Sequence, residues 1–199
     1  QRLRDIINKG VREEDIFSAA AAAFSQGYTS IKLYFMLGLP FEQDEDILAI
    51  ADLCRRILQL AKLHKPAEVK KQVKISLGVS SFVPKPHTPF QWQGQNPVAE
   101  LRRKQQLLRE AIKPLRAVSL HYHDAEQSML EAAFARGDRR LAGVLLEARK
   151  RGCHLDGWSE HFDLAAWREA FAAAGLSAAG YAERPFAADE ILPWQHLDC

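Results

Sequence analysis

Long apolar runs are missing from this 199-residue chain. No stretch approaches the roughly 20 residues a helix needs to cross a bilayer, and no signal peptide is read. A cytoplasmic location with no membrane partner is expected. Cysteine is scarce: Cys54, Cys153 and Cys199 are odd in number and far apart. That argues against a disulfide framework, points to a reducing compartment, and leaves no pair spaced to share a metal. Net charge is nearly absent at +2, so composition singles out neither nucleic acid nor an acidic substrate. There is no glycine-rich phosphate loop, no nucleophile elbow and no H-E-x-x-H sequence. Internal repeats and low-complexity tracts are absent as well, although alanine is heavy at residues 19–23.

What is present suits a folded domain. An apolar fraction of 47% with 26% charged residues allows one good core, or one core with an appendage. Residues 1–10 predict a short helix ending at Gly10. A second helix follows, with Glu13, Glu14 and Asp15 at its start, where the helix dipole favours negative charge. Ile16, Ala20 and Phe24 form its apolar stripe, and Gly27 stops it. From Ile31 to Leu37 the period is two: Ile31, Leu33, Phe35 and Leu37 share one face, while Lys32, Tyr34 and Met36 share the other. Gly38-Leu39-Pro40 then turns the chain away. Ile47, Ile50, Ala51, Cys54, Ile57, Leu58 and Ala61 carry helical spacing over about Asp44 to Leu63, and Cys54 reads as core packing.

Val73 to Trp92 repeats the strand pattern, with Val73, Ile75, Leu77 and Val79 against Lys74, Ser76, Gly78 and Ser80. It runs into a loop stiffened by Pro84, Pro86 and Pro89 that presents Lys85, His87 and Thr88 and ends on Phe90 and Trp92. Loops of this kind at strand ends carry the binding chemistry of α/β proteins. Strand–helix–strand order implies a parallel pair with a right-handed crossover. Each strand has one apolar and one mixed face, whereas a doubly covered open sheet would be apolar on both. A barrel or partial barrel is therefore expected, apolar toward outer helices and polar toward a lumen.

Asn96 and Pro97 open a helix that carries Arg102, Arg103, Lys104, Arg109, Lys113 and Arg116. A solvated face is the simpler reading, because no aromatic platform is interleaved with the charges. Val118, Leu120 and Tyr122 alternate with Ser119, His121 and His123 in a third strand. Asp124 and Gln127 predict a capping box for the next helix, Asp138 a cap for another, and Asp163 a cap for the last. His121-x-His123 is the most ligand-like local cluster, yet a metal would need a third ligand, for which His87 is the candidate by type. Glu42 is either a hydroxyl or amine binder or a plain helix-leading acid.

Ile31 to Pro40 with Glu42 behind it resembles the fifth strand and following turn of the radical S-adenosylmethionine (SAM) core. Val83-Pro84-Lys85-Pro86-His87-Thr88-Pro89-Phe90-Gln91-Trp92 resembles the exit of the sixth strand. Gln1 to Asp15 resembles the segment after the fourth strand in the methylthiotransferase-like branch. The similarity is strongest to a bacterial group of radical SAM proteins that usually carry a cobalamin-binding-like domain ahead of the core. In the tail, Arg136-Gly137-Asp138-Arg139-Arg140, Asp156-Gly157-Trp158 and Leu192-Pro193-Trp194 support that group.

The resemblance implies the C-terminal part of a partial (β/α) barrel over 1–117, followed by a mainly helical extension over 118–199. It implies SAM and a [4Fe–4S] cluster as cofactors, with cobalamin as a further candidate. The family's reduced cluster cleaves SAM to a 5′-deoxyadenosyl radical that abstracts a substrate hydrogen. By resemblance Tyr34, Met36, Gly38, Leu39, Pro40 and Glu42 lie on the cofactor side; Ser80, Lys85, His87 and Thr88 lie toward an unknown substrate. The family's three cluster cysteines, C-x-x-x-C-x-x-C, are not matched by Cys54, Cys153 or Cys199. The chain is thus expected to be a piece of a longer protein, inactive alone. Two other readings are an RNA- or protein-binding module using the basic residues at 102–116 and 136–140, and a metal-dependent hydrolase built on His121 and His123.

Overall fold

A computed structural model describes residues 1–197, which divide into two compact units: 1–80 with 102–122, and 81–101 with 123–197. Cys199 lies outside the described residues. The chain is an α/β protein with a small three-stranded parallel sheet and many helices.

In the first unit, α1 (Arg2–Ile6) is shorter than the helix expected over 1–10. Asn8 takes a left-handed φ of 52° and ends it early. Helix α2 (Glu13–Ser25) begins with its three acidic residues and stops before Gly27, whose φ of 83° suits glycine. Strand β1 (Ser30–Leu37) leads to α3 (Asp44–His64), then β2 (Lys74–Ser81), α4 (Val98–Ile112) and β3 (Val118–Tyr122). The strands lie in the order β1-β2-β3. Strands β2 and β3 pair in parallel, with Ile75 opposite Val118 and Gly78 opposite His121.

Period two decides the faces. Ile75, Leu77 and Val79 are buried among Ile47, Ile50, Cys54 and Ile57 of α3 and Leu108 and Ile112 of α4. Ile31, Leu33 and Phe35 of β1 and Ala20 and Phe24 of α2 join the same core. Each fully buried isoleucine or leucine there contributes about 1.5–3 kcal/mol. On the opposite face Lys32, Tyr34, Met36, Ser119 and His121 are exposed, and Ser76, Gly78 and Ser80 are half-buried. Cys54 belongs to the core, and burial pushes its thiol up to about 11.

The second unit has its own core. Helix α5 (Ala125–Arg136) is capped by the Asp124 carboxylate, which accepts from the Glu126 and Gln127 amides. Asp163 caps α7 (Leu164–Ala173) through the Ala166 amide. The expected cap at Asp138 takes another form: its carboxylate accepts from the backbone and guanidinium of Arg140, just before α6 (Leu141–Lys150). Leu130, Leu141, Val144, Cys153, Trp167 and Phe171 pack together, and Trp167 donates its indole N–H to Asp156 at 2.8 Å.

The proline-braced loop is held by the C-terminal segment. The Phe186 amide donates to the Trp92 carbonyl at 2.8 Å, and the Gln95 amide donates to Ala182, at the end of α8 (Ala178–Ala182), also at 2.8 Å. Trp194 donates its indole N–H to the Gln91 side chain at 2.7 Å. A Cβ on Gly94 would fall 1.9 Å from the Glu183 carbonyl oxygen, so only glycine lets these two backbones meet. Arg136 is fully buried, with no carboxylate partner among the described residues. It donates to the carbonyls of Tyr181, Ala182 and Arg184 and lies 4.2 Å over the Phe186 ring. Burial first, then the charge of Arg184, lower its pKa to about 10, so it keeps its proton at neutral pH. Three segments that looked separate in sequence, around Gln91, Arg136 and Trp194, form one clasp.

Candidate functional site

The exposed sheet face of the first unit is the candidate site. Tyr34 is 74% exposed and Met36 40% exposed on β1. The Tyr34 ring lies against Gly78 of β2, where an added Cβ would come within 2.9 Å of it. His121 of β3 stands opposite Gly78 on the far side. Ser80 donates to the Phe35 carbonyl at 3.4 Å, tying β2 to β1. The result is an aromatic ring set over a glycine floor, bordered by a thioether, a hydroxyl and an imidazole. Such a surface can stack a flat ring and hydrogen-bond its edges.

Strand β1 ends in a turn. Gly38 has a φ of 82° and Phe41 a φ of 65°, and Leu39 is buried, with Pro40 partly so. Glu42 organises the turn from inside. Its carboxylate accepts the Gly38 amide at 2.9 Å and meets the Lys104 ammonium at 2.8 Å, with side-chain exposures of 1% and 6%. Glu42 is thus engaged within the fold, and its lone pairs serve the turn and α4.

The basic residues of α4 are partly consumed in the same way. Arg103 makes a two-pronged pair with Asp44, whose carboxyl it holds below the usual range, and Arg109 stacks 5.1 Å over Tyr122. The free cationic stripe that the sequence suggested is therefore reduced, because these charges face acids and rings from distant segments.

Lys85, His87 and Thr88 belong to the second unit. Lys85 pairs with Glu131 at 2.6 Å, and Thr88 donates to the Lys85 carbonyl at 2.8 Å. His87 is exposed, with φ of 56° and its amide on the Gln91 side chain. These contacts brace the loop locally. Among the described residues no group of three His, Cys, Asp or Glu side chains could hold a metal ion, and no helix is long and apolar enough to cross a membrane. Sequence reasoning missed Lys104 as the partner of Glu42 and Phe41 as a strained, exposed aromatic. Only the sequence neighbourhood Gly38 to Glu42 hinted at an unusual turn.

No known protein family matches the chain, and no solved structure matches it. The chain is similar to an uncharacterized protein of Methanocaldococcus jannaschii, 32% identical over 146 residues. That match takes in 73% of this chain and 30% of the relative. The chain thus spans less than a third of the length of that curated relative.

Proposed function

We propose that this chain is the C-terminal part of a radical SAM enzyme, and that its exposed sheet face is part of the cofactor and substrate cavity of a partial barrel. The observation that carries the reading is the one-sided cover of the sheet. Helices α2, α3 and α4 bury one face, while the other presents Tyr34, Met36 and His121 to solvent. Parallel sheets are normally covered on both faces unless the second face lines an enclosed cavity. Helix α2 also sits in the helix layer ahead of β1, as a crossover helix does; in this reading the strand that feeds it comes from the longer protein.

The residues fit the two cofactors unequally. Cys54 and Cys153 are buried in separate cores, so neither suits a [4Fe–4S] cluster, and no step is assigned to a cluster in this chain. The adenine of SAM fits the Tyr34 and Met36 surface, where the phenol ring offers a stacking face and Gly78 a floor without a side chain. When bound to a reduced cluster, SAM supplies hydrogen-abstraction chemistry. The contribution of this chain is to hold the adenosyl group in place and, through the Glu42-braced turn, to keep the end of β1 rigid.

The test is paired. This chain should be colourless and iron-free, while the longer protein, reconstituted without oxygen, should bind iron and cleave SAM. A reconstituted longer protein that holds no cluster overturns the reading. Tyr34→Ala in the longer protein should weaken SAM binding by about tenfold, the value of one lost stacking contact of about 1.4 kcal/mol.

A further inference from the structure

The second unit contains a cavity of about 440 Å³, unrelated to the sheet face. Its walls are mainly apolar, from Leu130 of α5, Leu164, Trp167 and Phe171 of α7, and Pro97 in the segment 81–101 just before α4. Two charged residues are among those that line it, Arg168 and Glu183. They differ in what they lack. Arg168 is exposed, so water satisfies its guanidinium. Glu183 is half-buried, and no hydrogen bond or ion pair to its carboxylate is found among the described residues. Burial alone pushes its carboxyl above the ordinary range. The neighbouring cation, Arg184, is already held by Glu190 through two hydrogen bonds.

Glu183 is also fixed in place. Its amide donates to Ala179, and its carbonyl lies against Gly94, so the side chain is carried on rigid backbone. Water reaches this half-buried carboxylate, yet its partial burial disfavours the charge, and a cation that pairs with it relieves that. Cavities of this size, apolar with few polar groups, are the usual form of small-molecule sites.

We infer that this cavity is a binding site for a small organic cation, an amine with an apolar aryl or alkyl body, whose ammonium pairs with Glu183. The apolar walls bury the body, and the carboxylate selects the head group. The site lies wholly within the second unit, so it stands or falls independently of the radical SAM reading.

The experiment uses the full chain and three probes of one shape: phenethylamine, 2-phenylethanol and 3-phenylpropionate, each titrated by calorimetry at neutral pH. The amine should bind at least about tenfold tighter than the alcohol, since a charge-assisted hydrogen bond adds about 1.5 kcal/mol or more. Glu183→Gln should abolish that preference. Ala172→Trp, at an exposed residue of the cavity wall, should abolish amine binding by filling the space. Arg168→Gln should leave amine binding intact. Equal binding of amine and alcohol overturns the inference. So do a preference that survives Glu183→Gln, amine binding that survives Ala172→Trp, and the absence of amine binding at millimolar concentration.

Discussion

The carboxylate of Glu42 and the ammonium of Lys104 meet at 2.8 Å, both almost wholly buried, and tie the turn after β1 to the middle of α4. Glu42 accepts the Gly38 amide as well, so one side chain organises both the turn and the helix contact. Removing one member of a buried pair leaves the other charge uncompensated, at a cost of about 3–5 kcal/mol. Glu42→Gln and Lys104→Met should each lower stability by about that amount in urea unfolding. The double variant should cost less than the sum. Single losses under about 1 kcal/mol would show that the pair is dispensable.

Phe41 is exposed and has φ of 65°, a conformation that side chains with a Cβ rarely adopt. The strain is about 1–2 kcal/mol, and the entropy glycine loses on folding is about 0.5–1 kcal/mol. Phe41→Gly should therefore stabilise the chain by up to about 1 kcal/mol, read as a higher urea midpoint at unchanged slope. A fall in stability would mean that the phenyl ring packs usefully despite its exposure.

The clasp on the proline-braced loop makes two positions intolerant. Gly94→Ala drives a Cβ into the Glu183 backbone, and Arg136→Met takes the guanidinium from the Tyr181 and Arg184 carbonyls and leaves Ala182 only the Gln95 amide. Each should cost about 3 kcal/mol or more. Arg136→Lys should rescue little, because an ammonium cannot reproduce the guanidinium fork. Protease sensitivity between Val83 and Gln95 is the direct measure, and unchanged cleavage in both variants would refute the clasp.

Glu183 gives a pH signature of known sign. Burial raises its pKa in the folded state, so the folded chain holds this proton more tightly than the unfolded chain does. Below the unfolded pKa of about 4.3 both states are protonated and the residue is neutral in effect. As pH rises through the folded pKa, stability is lost. Glu183→Gln should thus raise the melting temperature at pH 7, and the gain should vanish below about pH 4. A gain that persists undiminished at low pH would assign it to packing instead.

Much of the local structure was legible in the residues. Period-two alternation in 31–37, 73–80 and 118–122 identified three strands and which face of each would be buried. Helical spacing placed α3 within a residue or so of its observed span, Asp44–His64. Asp124 and Asp163 act as the caps their positions suggested. The signals are short-range, because strand period, helix period and capping all act within a few residues. Residues 1–10 were less legible, since nothing in Asn8 announced that it would turn left-handed so soon.

The sequence by itself therefore determined the elements and the sidedness of the sheet. Tertiary structure decided what each charged side chain does. Glu42 and Arg103 looked available in sequence, and their partners Lys104 and Asp44 lie across the fold. Arg136, in a run of apparent surface charge, is buried against the carbonyls of Tyr181, Ala182 and Arg184. Glu183 carried no signal at all, because an unpaired carboxylate is defined by what fails to approach it. The physical reason is common to all four: the free energy of a charge is set by burial and by partners within a few ångströms. Those neighbours come from segments far apart in the chain.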